Sequence, residues 1–163
     1  MGRRIEVVIR SARLADTKKI AAAHVASIKG LCSGSYAKKD VGGWISVIDP
    51  GIYENAIKEK VMIVAEDKDE ILGLGILDIE HGEIGAIYVH PKVKRTGVGS
   101  GLLSALEDRA SSENVERLTL CSTINARGFY QHYGYVGDDK EFYELPNGVR
   151  LECIRMHKAL RKG

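Results

Sequence analysis

The residues whose types and spacing could do chemistry lie in Lys92-Val93-Lys94-Arg95-Thr96-Gly97-Val98-Gly99-Ser100-Gly101. Cations come first, then glycines at alternate positions. Glycines let a ligand approach main-chain N–H groups, and the first turn of a following helix leaves its own N–H donors unpaired. Lys94 and Arg95 add positive charge beside those donors, so the chemistry that fits is phosphate capture. Two common phosphate loops do not fit. The Walker loop needs a Lys directly after its last glycine, and none follows Gly99 or Gly101. The dinucleotide fingerprint needs its third glycine where this chain has Leu102. Other chemistries lack their constellations. His24, His81, His90, His132 and His157 have no ligand spacing and no His-Glu-x-x-His, so no metal is expected. His24 reads as a core histidine on an apolar helix face. No Ser–His–acid arrangement for nucleophilic catalysis is visible either.

Local elements must position that loop. Ile84 to Val89 is an apolar, β-branched run that reads as a buried strand, stopped by Pro91. After the loop, Leu102, Leu103, Leu106 and Ala110 share one stripe of an amphipathic helix. Upstream, Val61–Glu66 and Ile71–Ile79 are strands joined by the turn 67–70, and with 84–89 they form an antiparallel meander. Gly73 and Gly75 mark close approach or a bulge. Ile5–Arg10 reads as an edge strand. Asp16 is placed to cap a helix running to about Lys29, with Gly30 as its stop. Asp49-Pro50 opens a short helix. Downstream, Val115–Cys121 is a strand. A final hairpin of Phe142–Leu145 and Val149–Met156 turns at Pro146-Asn147-Gly148.

At 163 residues the chain is expected to be a single domain, 1–163. Hydrophobic content of 44%, charged content of 28% and a net charge of +2 suit a globular protein and make no case for nucleic acid or membrane as partner. No apolar run reaches membrane-spanning length, and no signal-peptide pattern precedes the first strand. Cys32, Cys121 and Cys153 are odd in number and widely spaced, so reduced thiols and a cytoplasmic setting are expected.

Two segments together resemble the GNAT N-acetyltransferase superfamily. The first is Tyr88-Val89-His90-Pro91 leading into Lys94-Arg95-Thr96-Gly97-Val98-Gly99, similar to that family's acyl-CoA loop, with Lys94 where Arg or Gln is usual. The second runs from Ser122 to Tyr135. There Asn125, Ala126, Phe129, Tyr130 and Gly134 sit at the family's spacing, with Tyr135 for Phe. The resemblance implies an α/β GNAT fold, a mixed and mostly antiparallel sheet flanked by helices. It implies transfer of an acetyl group from acetyl-CoA to a primary amine by direct attack, without a metal. Transfer of another acyl group, or a non-catalytic CoA-binding or interaction domain, are the alternatives.

The resemblance also distributes roles. Ile87, Tyr88 and Val89 offer backbone groups to the pantetheine arm where the sheet splays. Lys94, Arg95, Thr96, Gly97, Val98, Gly99 and Ser100 hold the pyrophosphate, and Asn125 contacts the cofactor arm. Tyr130 is the general acid near sulfur, or else an aromatic core residue. Glu83 is the base for the amine, with Asp78 and Glu80 as rivals. Strand alternation puts Glu83 on one face with Gly85, Ile87 and Val89, and partial burial would raise its pKa. Tyr36 and Trp44 are acceptor-pocket walls, or equally anchors of a surface helix. The acceptor amine is open, from small molecule to protein terminus, as is a homodimer.

Overall fold

The computed structural model describes residues 5–160. The ends of the expected 1–163 domain lie outside those residues. Among the described residues, seven strands form one sheet in the order β1-β2-β3-β4-β5-β7-β6. They are β1 (Val8–Ser11), β2 (Val61–Asp67), β3 (Glu70–Asp78), β4 (Glu83–Val89), β5 (Arg117–Thr123), β6 (Val136–Glu144) and β7 (Arg150–Ala159). Every neighbouring pair is antiparallel except β4 and β5. Helices α1 (Thr17–Ser27), α2 (Lys38–Ser46), α3 (Glu54–Glu59), α4 (Val98–Ser112) and α5 (Arg127–His132) complete the architecture. The fold is the mixed, mostly antiparallel sheet expected.

Alternation along the strands builds a core on each face. On β2, Ile63 and Ala65 meet Leu102, Leu103 and Leu106 of α4, while Met62 and Val64 meet Ile20 and Ala23 of α1. The three α4 leucines are at most 1% exposed. Each contributes about 1.5–3 kcal/mol of burial. Gly73 and Gly75 let α4 lie close to the sheet: a Cβ on Gly73 would stand 2.9 Å from Leu102 Cδ1, and one on Gly75 would stand 3.1 Å from Leu106 Cδ1.

Several boundaries differ from expectation. The first strand starts at Val8, and Ile5 is exposed. Asp16 precedes α1 but does not cap it. Its carboxylate instead accepts from Arg10 Nη1 and Nη2, both at 2.9 Å, and from the Arg13 N–H at 2.7 Å. The Arg10 guanidinium holds that carboxyl below its usual range. Gly30 does not stop the helix, which continues as a π-helical turn, Ile28–Cys32. β5 begins at Arg117 rather than Val115, and the final hairpin is longer than the apolar pattern implied. Asp49 does cap its segment, accepting from the Gly51 N–H at 2.7 Å.

The expectation of free thiols is overturned. Cys121 of β5 and Cys153 of β7 form a disulfide, with a Cα–Cα distance of 5.6 Å. They are far apart in sequence, but Thr123 pairs with Cys153 and Cys121 with Arg155 across the adjacent strands, so the sulfurs meet diagonally. Cys32 is the free thiol, and it is buried.

Candidate active site

β4 and β5 run parallel but pair only at Glu83↔Thr119 and Ile84↔Leu120. Beyond that point the strands diverge, which leaves residues 86–89 without β5 as a ladder partner. A cleft opens on each side of the splay.

The first cleft, of about 740 Å³, is bounded by β4, the Gly-rich loop, the 123–133 segment and the π-helical turn. Pro91–Val93 forms one tight turn, with the His90 ring accepting from the Lys92 N–H. Gly97 then stands before α4 at φ 91°, a conformation natural to glycine, and no side chain caps the helix. By helix geometry the first-turn amides lack intrahelical partners. Lys94, Arg95, Gly97, Gly99, Ser100, Ile87, Tyr88, Val89, Asn125 and Tyr130 all line this cleft. Two expected residues do not. Val98 packs into the core at 4% exposure, and the Thr96 hydroxyl donates to the Val93 carbonyl at 2.5 Å. Cys32, to which the sequence assigned no role, joins the lining. Burial pushes its thiol up to about 11, against a hydrogen bond with Asn125. Tyr130 is 6% exposed, edge-on to Phe129 and Tyr135 at 5.2 and 5.7 Å. Burial raises its phenol above the ordinary range.

The second cleft, of about 490 Å³, lies among α1, α2, β4 and the β6–β7 hairpin. Tyr88 and Thr123 line both clefts, so the two meet at the splay. Tyr36 and Trp44 are walls of this second cleft and also anchors. The Tyr36 hydroxyl donates to the Glu152 carbonyl at 2.6 Å and accepts from the Ile124 N–H at 3.1 Å. Trp44, 5% exposed, packs against Leu145 and Leu151. His24 is the core histidine expected: its Nδ1 bonds the Tyr53 hydroxyl at 2.8 Å and its ring lies 4.3 Å from that of Tyr88. Burial lowers it to about 4.

Glu83 is in the second cleft and partly buried, but its face is not the one expected. A bulge at Gly85 sets Ile76 opposite Ala86 and Leu77 opposite Ile84. The extra residue reverses the alternation, so Ile84, Ile87 and Val89 share the α4 side while Glu83 falls on the Tyr88 side. Its side chain is 45% exposed and pairs with Arg155 Nη1 at 3.2 Å. Arg155 also holds Glu141 through Nε at 2.9 Å and Nη2 at 3.1 Å. The rival carboxylates line neither cleft: Asp78 is engaged by His81 and Lys60, and Glu80 is exposed in the β3–β4 turn. Sequence reasoning missed Arg155, Cys32 and the Tyr88 side chain. Only Tyr88 carried a local signal, an aromatic alternating with Ile87 and Val89 at the strand's end.

The family model for the acetyltransferase (GNAT) domain matches residues 32–160. This chain belongs to the GNAT acetyltransferase family. Membership implies acyltransferase activity. A GCN5-related N-acetyltransferase from Rhodopseudomonas palustris, also described as aminotransferase, class-II, is 26% identical, with a TM-score of 0.88 over 98% of this chain and 100% of that one. The PaiA N-acetyltransferase of Thermoplasma acidophilum, solved with coenzyme A, shares the fold at 19% identity, TM-score 0.77, over 95% and 99% of the two chains. The N-acetylglutamate synthase of Neisseria gonorrhoeae, solved with coenzyme A and N-acetyl-glutamate, shares it at 21% identity and TM-score 0.66, over 98% of this chain and 36% of that one. No helix among the described residues of this GNAT protein is long and apolar enough to cross a membrane.

Proposed function

We propose that this protein transfers an acetyl group from acetyl-CoA to a primary amine by direct attack. The observation that carries the reading is the meeting of two clefts at Tyr88 across the β4–β5 splay. One cleft has the donors a phosphate-bearing arm needs, and the other can hold an acceptor. The first-turn amides of α4 receive the pyrophosphate, flanked by Lys94 and Arg95. Backbone groups of Ile87, Tyr88 and Val89 hold the pantetheine arm and supply an N–H to the developing oxyanion. Asn125 steadies the same arm. Glu83, five residues before Tyr88 on β4 and so roughly 16 Å from it along the strand, accepts the amine's proton through water, and Tyr130 hydrogen-bonds the sulfur as it leaves. Direct attack is favoured because Cys32, at about 11, is a thiol and not a thiolate at neutral pH.

Calorimetric titration with CoA, beside an assay for released CoA thiol, tests this reading. In Gly99→Val the new Cβ would stand 3.3 Å from Phe129 Cε1 and fill the mouth of the loop. Affinity should fall roughly tenfold or more, about 1.4 kcal/mol. Lys94→Ala should cost about 0–1 kcal/mol, as a solvated charge does. Unchanged affinity in Gly99→Val would defeat the phosphate-loop assignment, and CoA binding without thiol release would leave a CoA-binding domain instead.

A further inference from the structure

The acceptor cleft has a charge pattern that narrows its substrate. Among the described residues, the only arginine or lysine lining it is Arg155. That guanidinium is engaged on three nitrogens, two by Glu141 and one by Glu83. No unpaired cation is therefore available for a carboxylate or phosphate of an acceptor among the described residues of the lining. The carboxylates are also partnered: Glu83 by Arg155, and Glu152 by Lys140 at 3.7 Å. Both are partly exposed and sit at the cleft's edge, with side-chain exposures of 45% and 35%.

The buried part of the lining is aromatic and aliphatic apart from His24, a neutral imidazole whose Nδ1 bonds the Tyr53 hydroxyl and whose Nε2 has no partner. Tyr36 meets Trp44 edge-on with ring centres 5.8 Å apart, and Trp44 meets Tyr88 edge-on at 6.2 Å. This makes a continuous aromatic wall that ends at the splay, where the acyl group would be delivered. Ile48, Tyr53 and Leu151 continue the apolar lining. A carboxylate placed against this wall would be desolvated without a partner, and a second ammonium would find the lining's carboxylates, Glu83 and Glu152, already paired and only ring faces left to meet. An aromatic ring there finds the edge-to-face geometry that such groups favour.

Resting on the transferase reading above, we infer that the acceptor is an arylalkyl primary monoamine: one amine at the Tyr88–Thr123 junction, an aromatic tail against Trp44, and no carboxylate, phosphate or second ammonium. The chain itself supplies a reporter, because Trp44 is its sole tryptophan. Titrate the CoA-loaded protein with phenethylamine, spermidine, glutamate and a short free-amino peptide, following Trp44 emission. Then measure kcat/KM for each with acetyl-CoA. Phenethylamine should change the emission saturably and bind at least about tenfold more tightly than the others, a difference of about 1.4 kcal/mol. Its kcat/KM should lead in the same order. Tighter binding of spermidine, glutamate or the peptide overturns the inference, as does a silent Trp44 with all four. If phenethylamine binds but no amine is acetylated, the transferase reading fails while the cleft assignment stands. If spermidine or glutamate is acetylated while phenethylamine neither binds nor reacts, the cleft assignment fails and the transferase reading stands.

Discussion

Tyr130 and His24 show what burial does to single groups. Tyr130 sits among aromatic rings, and burial raises its phenol, so it keeps its proton throughout the neutral range. A phenol held this way is a hydrogen-bond donor to a departing sulfur before it is a full proton donor. Tyr130→Phe keeps the ring and its packing, so melting and CoA affinity should stay near normal. Turnover should fall roughly ten- to a thousand-fold, below the full general-acid range where water substitutes. Stopped assays of kcat beside a melting curve decide it, and normal turnover removes Tyr130 from the chemistry. His24 makes a prediction about stability. Burial lowers it from 6.5 to about 4, and its Nε2 is buried without a partner. The unfolded chain takes up a proton that the folded chain refuses, so this contribution is intact above about pH 6.5 and lost as pH falls toward about 4. The full loss is about 3 kcal/mol. His81 is shifted the other way by Asp78, but it is 70% exposed and acts weakly. Urea melts at a series of pH values should show the loss in the native protein and a flatter curve in His24→Phe.

At the scale of the element, what could be read ahead was what is local. Strand, tight turn, left-handed glycine and amphipathic helix follow one another in the chain, so the order of residues alone marked out the loop and α4. The motif around Asn125 and Tyr130 was legible for the same reason. The side of β4 that Glu83 occupies was not. It depends on one extra residue at Gly85, and nothing in the alternation marks where a pairing partner slips. Arg155 was invisible because its place beside Glu83 follows from β7 lying on β5, a pairing far apart in sequence. The bulge places Glu83 with Tyr88, which favours it over Asp78 and Glu80 as the group facing the amine. Glu83→Gln should lower kcat roughly a hundredfold, within the usual general-base range, and flatten the acidic limb of the pH–rate profile. An unchanged limb with near-normal kcat would assign proton removal to water alone.

The molecule as a whole is tied across its sheet by Cys121 and Cys153, the feature furthest from what the chain's cysteine count suggested. An odd number of widely spaced cysteines argued for free thiols, but sequence spacing says nothing about two strands that become neighbours only in the folded sheet. The bond closes a loop with a sequence separation of 32, spanning α5 and β6. On chain entropy alone, closing such a loop is worth about 3–4 kcal/mol. The β5–β7 ladder pairs along both strands without it, so reduction should leave the fold in place. It should lower the melting temperature by about 10 °C, at roughly 2–4 °C per kcal/mol for a chain of this size. Both cysteines also line the second cleft, so reduction should be felt there and not at the first cleft. Cys32 is a control within the same molecule. It is 2% exposed and should resist alkylation until the protein unfolds. Alkylation of the native protein should therefore label no cysteine before reduction and, after it, Cys121 ahead of the buried Cys153. The double variant Cys121→Ala/Cys153→Ala should melt like the reduced protein and keep its CoA affinity. Acid-quenched thiol trapping in intact cells then bears on compartment, because a pair found reduced there supports the cytoplasmic setting and a pair found oxidised opposes it. An identical melting temperature with and without reductant, in a protein whose two thiols alkylate freely from the start, would mean that the sheet holds these strands together without the bond.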